Sequence, residues 1–303
     1  MLYLFCMKSK KIALIGANGQ LGNDLQRVLS EENAYTVFPL IHADIEISDP
    51  ESIKNTLNNI NPDIVVNTAA YNNVDESETN PEKAFLINAV ANKHLAYYCK
   101  EKNSTLVSIS SDYVFGVDGD RTTPYRESDC PGPVNAYGIS KLAGEHFVRY
   151  GCTKHFIIRT CGLFGIESSS GKKTNFVESM LKASKEKNII QVVDDQCISP
   201  TYTYNLAKQI CRIIKTDAFG LYHAASEGSC SWYEFAKEIF ALISKHVNLE
   251  AISSSKLKNP AKRPHYSVLE NYNLKRLNIN CMLDWKEGLK AYLQAKGLLY
   301  FPS

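Results

Sequence analysis

The chain has 303 residues, with 34 Lys+Arg against 32 Asp+Glu and a net charge of +2. That length suits one large domain or two modest ones, and 44% hydrophobic with 22% charged residues excludes a disordered or collagen-like chain. The even charge balance, with no dense basic tract, argues against nucleic acid as the main partner. No apolar run approaches the ~18 residues a membrane-spanning helix needs, so no membrane partner is expected. Met1 to Met7 is apolar but short, and its Lys cluster follows it, the reverse of a secretory signal. The expectation there is a ragged extension, with Met7 an alternative start. Nine scattered cysteines without a Cys-x-x-Cys pair point to free thiols in a reducing cytosol. The histidines show no ligand spacing, so no metal is expected and a cytoplasmic location is.

Taken in order, Lys11 to Ile15 is expected as a first strand, Gln20 to Ser30 as its helix and Tyr35 to Leu40 as a second strand. Asp49-Pro50 opens the next helix, with Asp as N-cap and Pro at the first helical position. Asp63 to Asn67 is the continuous apolar run of a buried parallel strand. Asn80-Pro81 repeats the cap-plus-proline start, for a helix expected to reach about Glu101. Thr105 to Ile109 is the fourth strand, the polar stretch Gly116 to Pro133 a loop, Ala136 to Tyr150 a helix and Phe156 to Arg159 a further strand. Beyond it the alternation breaks down. Residues 168–173 read as a mobile surface loop. Ser231-x-x-Glu234 is a capping box opening a helix with Trp232, Phe235, Ile239 and Ile243 on one core-facing side.

Gly16-Ala-Asn-Gly19-Gln20-Leu21-Gly22 joins the first strand to the first helix. Glycines there permit a tight turn, let backbone N–H groups approach a pyrophosphate at the helix N-terminus, and let the helix lie close on the sheet. The alternating context makes this a dinucleotide site and the fold class α/β, a Rossmann-type doubly wound parallel sheet with a smaller mixed C-terminal substrate lobe. Expected boundaries are 8–165 for the dinucleotide-binding domain, with 201–225 returning to it, and 166–200 and 226–303 for the lobe. Ile41-His42 after the second strand offers neither an acid nor an Arg, so NADP(H) and NAD(H) both stay open. Glu46 is either an acceptor for the adenine amino group or a solvated loop acid.

Tyr137-Gly-Ile-Ser-Lys141 opens a helix, and a spacing of four puts Tyr137 and Lys141 on one face. An ammonium beside a phenol is expected to lower the phenol's pKa, so that the pair can supply and recover a proton during carbonyl reduction. Ser110-Ser111 lies at the carboxyl end of the fourth strand, where open parallel sheets bind ligands. Ser111 is expected to hold the carbonyl oxygen, with Ser110 facing the other side of the strand.

At these motifs the sequence resembles the extended short-chain dehydrogenase/reductases, and within them the dTDP-4-dehydrorhamnose reductase family. Further support comes from Asn67-Thr-Ala-Ala-Tyr71, Ser110-Ser-Asp-Tyr-Val-Phe115, Tyr137 through Glu145, Asp195-Gln196 and Arg263-Pro264 followed by Ser267-Val-Leu269. The resemblance implies reduction of the 4-keto group of a nucleotide-linked 6-deoxyhexose by NAD(P)H. Tyr137 would be the proton donor, Lys141 would bind the nicotinamide ribose, and Ser111 replaces the family's usual Thr. Gly19, Gln20 and Leu21 would line the pyrophosphate, Glu46 and Ile47 the adenine, and Ala70, Tyr71 and Asn72 the middle of the cofactor. Asp112 would contact the sugar. Arg263 would be a partner for the substrate diphosphate, or half of a salt bridge. Where the family often has Arg-Thr-Ser-Trp, this chain reads Arg159-Thr-Cys-Gly162, which leaves the exact sugar nucleotide open; Glu46 stands where Asp is usual. Two other readings keep the fold: a nucleotide-sugar epimerase or dehydratase, and a non-catalytic dinucleotide-binding subunit resembling the methionine adenosyltransferase β subunit. A homodimer is an open expectation.

Overall fold

The computed structural model describes residues 9–166, 175–258 and 260–299. The expected mobile loop at 168–173 and the segment Met1 to Met7 lie outside the described residues. The first half alternates strand and helix: β1 (Lys10–Ile15), α1 (Gln20–Ser30), β2 (Tyr35–Leu40), α2 (Pro50–Ile60), β3 (Ile64–Asn67), α3 (Val74–Thr79), α4 (Pro81–Phe85), α5 (Ala91–Lys102), β4 (Thr105–Ser111), α6 (Ala136–Gly151) and β5 (His155–Thr160). The second half adds β6 (Leu163–Phe164), α7 (Phe176–Glu186), β7 (Ile190–Val193), β8 (Cys197–Ile198), β9 (Thr201–Tyr202), α8 (Thr203–Ile213), β10 (Gly220–His223), β11 (Cys230–Ser231), α9 (Trp232–Leu242), β12 (Leu249–Ile252), α10 (Tyr272–Arg276) and α11 (Trp285–Ala295).

Six strands form one sheet in the order β10-β5-β4-β3-β1-β2, every neighbouring pair parallel. The chain leaves β1 toward β2 and then returns to the other side with β3. The crevice at the carboxyl ends therefore opens where the strand order reverses. Both faces are covered, which is why the strands are apolar on consecutive residues. Ile12, Leu14, Val66 and Ile158 meet α1 and α8 on one face. Ala13, Ile15, Val65 and Ile157 meet α2, α5 and α6 on the other.

Asp49 caps α2 as its sequence suggests, accepting from the Glu51 N–H at 3.0 Å. The helix expected from Asn80 to Glu101 is instead three pieces, with a π-helical turn at Leu86–Val90 between α4 and α5, and Asn80 makes no side-chain cap. The wider turn presents the Asn88 side chain to the backbone of Tyr71, accepting from its N–H at 2.9 Å and donating to its carbonyl at 3.0 Å. Thus a break in the helix fixes the loop after β3.

The smaller lobe packs α7, α9 and α11 around Phe164, Phe235, Ile239, Leu289 and Tyr292, beside the parallel pair β7 and β12. The capping box is present: Ser231 Oγ accepts from the Glu234 N–H at 3.0 Å, and Glu234 accepts from the Ser231 N–H at 2.9 Å. Phe235 and Ile239 are fully buried, while Trp232 and Ile243 are partly so. Among the described residues no helix is long and apolar enough to cross a membrane.

Candidate active site

A cleft of about 850 Å³ runs across the carboxyl ends of β1, β3, β4 and β5, within the range of small-molecule sites. One end is the glycine turn. Gly16 has φ +79°, and a Cβ there would lie 2.7 Å from Thr68 Oγ1 and 2.8 Å from the Ala69 nitrogen. Thr68 Oγ1 in turn donates to the Ile15 carbonyl at 2.8 Å, tying the turn to β3. Gly22 lies so close to the turn that a Cβ would be 2.2 Å from the Gly16 carbonyl oxygen. Gly19 caps α1 without a side-chain acceptor, and no acid stands in the first turn. The N–H groups of Gln20, Leu21 and Gly22 are thereby offered, with the positive end of the helix dipole, to an anion. A dinucleotide's pyrophosphate fits this cradle.

Glu46 and Ile47 line the cleft beyond β2. Glu46 is no free loop acid: Oε1 accepts from Ser48 Oγ at 2.6 Å and the Ser48 N–H at 2.9 Å. Those bonds, the side-chain one foremost, hold its carboxyl below the ordinary range. Ala70, Tyr71 and Asn72 line the middle.

At the other end lie Ser111, Asp112, Tyr137, Lys141, Thr160 and Gly162. Asn135 caps α6 by accepting from the Gly138 N–H at 2.8 Å, and Gly138 packs against the Tyr113 carbonyl, where a Cβ would be 2.1 Å away. The helix start is therefore pressed onto the end of β4, with Tyr137 and Lys141 on the face toward the cleft. Lys141 is 5% exposed and its Nζ donates to the Ile109 carbonyl at 2.6 Å. Burial lowers its ammonium to about 8, with the nearby Glu145 charge opposing.

The expected lowering of the Tyr137 phenol by Lys141 is not what the structure has. Burial pushes the phenol up to about 12, against a hydrogen bond with Ser111 and with the Asp112 charge adding to the rise. The ammonium is turned to a backbone carbonyl, so the desolvation of the phenol wins. At neutral pH Tyr137 therefore keeps its proton.

Ser111 Oγ donates to Asp112 Oδ1 at 2.9 Å and accepts from the Tyr113 N–H at 3.1 Å. Ser110 points to the other face and donates to Glu145 Oε1 at 2.5 Å. Asp112 is enclosed: Oδ2 accepts from Ser267 Oγ at 2.6 Å and from Cys161 Sγ at 3.0 Å. Burial raises its carboxyl in spite of these bonds. Arg263 is not among the residues lining the cleft. Its NH2 donates to Asp75 Oδ2 at 2.8 Å in a partly exposed salt bridge.

Sequence reasoning did not single out Ser267 and Cys161 as the partners of Asp112, nor the ion pair of Arg159 with Glu145 behind Lys141. The second had a signal, since an Arg ending the apolar run of β5 needs a buried partner. Among the described residues no group of three or more His, Cys, Asp and Glu side chains is placed to hold a metal ion.

A protonated phenol and an ammonium one helical turn apart, over a crevice shaped for a dinucleotide, place the chain in the class of extended short-chain dehydrogenase/reductases. The RmlD substrate binding domain family matches residues 10–297, and with these relatives the chain belongs to the dTDP-4-dehydrorhamnose reductase family. It is 37% identical over 286 residues to the spore coat polysaccharide biosynthesis protein SpsK of Bacillus subtilis (strain 168), covering 94% of this chain and 98% of that one. Identity to the dTDP-4-dehydrorhamnose reductase of Escherichia coli (strain K12) is 36% over 295 residues, 93% of this chain and 96% of that one. The crystal structure of a dTDP-4-dehydrorhamnose reductase from Bacillus anthracis str. Ames in complex with NADP superposes with a TM-score of 0.88 at 37% identity, over 95% of this chain and all of that one.

Proposed function

We propose that this chain reduces the 4-keto group of a nucleotide-linked 6-deoxyhexose, dTDP-4-dehydro-L-rhamnose foremost, to the alcohol with NAD(P)H. The observation that carries the reading is the meeting of Ser111, Tyr137 and Lys141 at one end of the cleft whose other end is the Gly16–Gly22 turn. A bound nicotinamide cofactor supplies the hydride for the sugar C4. Tyr137 gives its proton to the oxygen that becomes negative there, and its phenol is fully protonated at neutral pH. Lys141 places a positive charge beside this end of the cleft and is the residue for the nicotinamide ribose. Ser111 orients the reacting oxygen, held in turn by Asp112, whose enclosed carboxylate stands toward the sugar. Gly16, Gly19, Gln20, Leu21 and Gly22 hold the pyrophosphate, Glu46 and Ile47 the adenine, and Ala70, Tyr71 and Asn72 the middle of the cofactor; all line the cleft. Both cofactors stay open.

The described cysteines are all free thiols, which supports a cytoplasmic setting. A homodimer is a matter for sedimentation. The test of the activity is NADPH and NADH oxidation with dTDP-4-dehydro-L-rhamnose and a panel of related 4-keto nucleotide sugars. Turnover with the first is expected, and absence of turnover with every member overturns the reading.

A further inference from the structure

Ser267 lies in the segment between β12 and α10, in the Ser267-Val-Leu269 stretch of the sequence, and is 1% exposed. Its backbone is pinned on both sides. The Ser267 N–H donates to the Cys197 carbonyl at 3.0 Å, and the Cys197 N–H donates to the His265 carbonyl at 2.8 Å. The Tyr125 N–H donates to the Val268 carbonyl at 2.8 Å. A serine held in this way has a hydroxyl of fixed position, and that hydroxyl donates to Asp112 Oδ2 at 2.6 Å.

The second donor to Oδ2 is Cys161 Sγ at 3.0 Å, from the residue that follows β5. Cys161 is also 1% exposed, and neither donor lines the cleft, whereas Asp112 and Ser111 do. The carboxyl therefore has two sides. Oδ2 is satisfied from the protein interior, and Oδ1 accepts from the Ser111 hydroxyl at 2.9 Å. A carboxylate taken out of water reverts to the acid unless donors stabilise its charge. Burial does raise the Asp112 carboxyl, and of the bonds that oppose the rise the one from Ser267 comes first.

We propose that Ser267, seconded by Cys161, is a positioning residue for the reduction: the two fill Oδ2 of Asp112 and hold its charge, so that Oδ1 is left to accept from Ser111 and from a hydroxyl of the bound sugar. The proposal rests on the reading that the substrate is a 4-keto nucleotide sugar. Ser111 has one O–H to give. When the ketone enters, that O–H turns from Oδ1 to the reacting oxygen, and Oδ1 accepts from the sugar hydroxyl in its place. The exchange needs an acceptor at Oδ1, which the anion provides.

The titratable groups around the carboxyl are Tyr113 on its own turn, Tyr137 on α6 and Cys161 after β5, all raised by burial. Lys141 on α6 is lowered only to about 8, and Arg263 reaches Tyr113 from the segment that carries Ser267. None of these changes its charge appreciably below about pH 7.

The test titrates Asp112 directly. Protein labelled with carbon-13 at the aspartate carboxyls is followed by NMR from pH 4 to 8, the Asp112 resonance being the one lost in Asp112→Asn. Ser267→Ala is expected to raise the Asp112 midpoint by about one pH unit, the scale of one hydrogen bond to a charge. Ser267→Cys, with a weaker donor at the same place, is expected to fall between Ser267→Ala and the parent. Cys161→Ala removes the donor on the other element and is expected to raise the midpoint by less than Ser267→Ala. Circular dichroism checks the fold of each variant, and Ser267→Cys with Cys161→Ala carries the test where Ser267→Ala does not fold. On the same proteins the acid limb of kcat/KM for the 4-keto sugar nucleotide is expected to move with the NMR midpoint, and KM for NADPH to stay fixed. With an active parent, an Asp112 midpoint unmoved in the folded variants overturns the proposal alone, as does a midpoint that moves without the acid limb. No turnover of any 4-keto sugar nucleotide by the parent overturns the substrate reading, and the proposal falls with it.

Discussion

Arg159, one residue from the end of β5, holds Glu145 on α6 with two parallel bonds, Nε to Oε1 at 2.8 Å and NH2 to Oε2 at 2.7 Å. Both side chains are buried, at 1% and 2% exposure. Glu145 stands one turn beyond Lys141, so the pair clamps α6 to the sheet at the level of the catalytic residues. Removing one partner strands the other charge in the interior. Glu145→Ala is expected to lower stability by about 3–5 kcal/mol, read from urea unfolding; a loss below about 1 kcal/mol would show that the helix is held by its apolar face alone.

The same network is expected to make stability fall with acid through His223. Its Nδ1 faces the Tyr125 carbonyl at 3.0 Å and its Nε2 faces Arg159 NH1 at 3.4 Å. Burial, with the Arg159 charge second, lowers its pKa to about 3. The folded value lies below the unfolded one of about 6.5, so the unfolded chain takes up the proton first. This contribution is complete above about pH 6.5 and is lost on acidification toward 3, at roughly 1.4 kcal/mol per pH unit. His94 and His155 are lowered by burial too and share the sign, so the comparison is between variants. His223→Gln is expected to be less stable at pH 7 and to show a shallower fall in Tm between pH 6.5 and 5. Parallel curves for variant and parent would remove His223 as the cause.

What could be read in the residues and what could not divide along physical lines. Local signals carried through: Asp49-Pro50 and Ser231-x-x-Glu234 start helices because their caps are made within three residues. The continuous apolar strands follow from a sheet covered on both faces. The π-helical turn at Leu86–Val90 had no such mark, because Asn88 earns its place through Tyr71 and Ser140, far along the chain. Asp112 lines the cleft as its place after β4 suggests, but its enclosure by Ser267 and Cys161 is not legible, since contacts 155 and 49 positions apart leave no spacing pattern. The raised Tyr137 pKa has no mark in the spacing, because proximity in a helix says nothing of how deeply a phenol is desolvated, or of where a Lys turns its ammonium.

The glycine turn gives a steric prediction. At Gly22 a methyl group would overlap the Gly16 carbonyl oxygen, and the listener on the other side is a peptide oxygen that cannot rotate away. Gly22→Ala must therefore lift α1 off the turn or open the turn itself. NADPH affinity is expected to weaken at least about tenfold, or about 1.4 kcal/mol, in calorimetry. An unchanged affinity would place the pyrophosphate elsewhere.

Tyr137→Phe removes one hydroxyl and leaves the ring packed edge-on against Tyr113, 5.8 Å between centroids. Folding and NADPH binding are expected to persist. The rate constant kcat is expected to fall roughly 10²–10⁴-fold, the usual worth of a positioned proton donor. A fall of less than about tenfold would mean that water or another group protonates the product oxygen.

Lys141 predicts opposite trends for activity and stability at alkaline pH. Its ammonium, lowered by burial to about 8, loses its charge as pH rises through that value, so kcat/KM for reduction is expected to decline there. The folded pKa lies below the ordinary Lys value of about 10.4, so between about pH 8 and 10.4 the unfolded chain binds more protons at this residue. In that window its contribution to stability therefore rises with pH while the reaction slows. The Tyr137 phenol, at about 12, does not titrate across this range, so of these two side chains Lys141 is the one whose charge changes. Lys141→Arg keeps a charge at every accessible pH and is expected to flatten the alkaline limb, whatever its effect on the plateau. The measurement is kcat/KM from pH 6 to 10, with Tm recorded on the same samples. A flat wild-type profile across that range would show that the ammonium is not required for turnover.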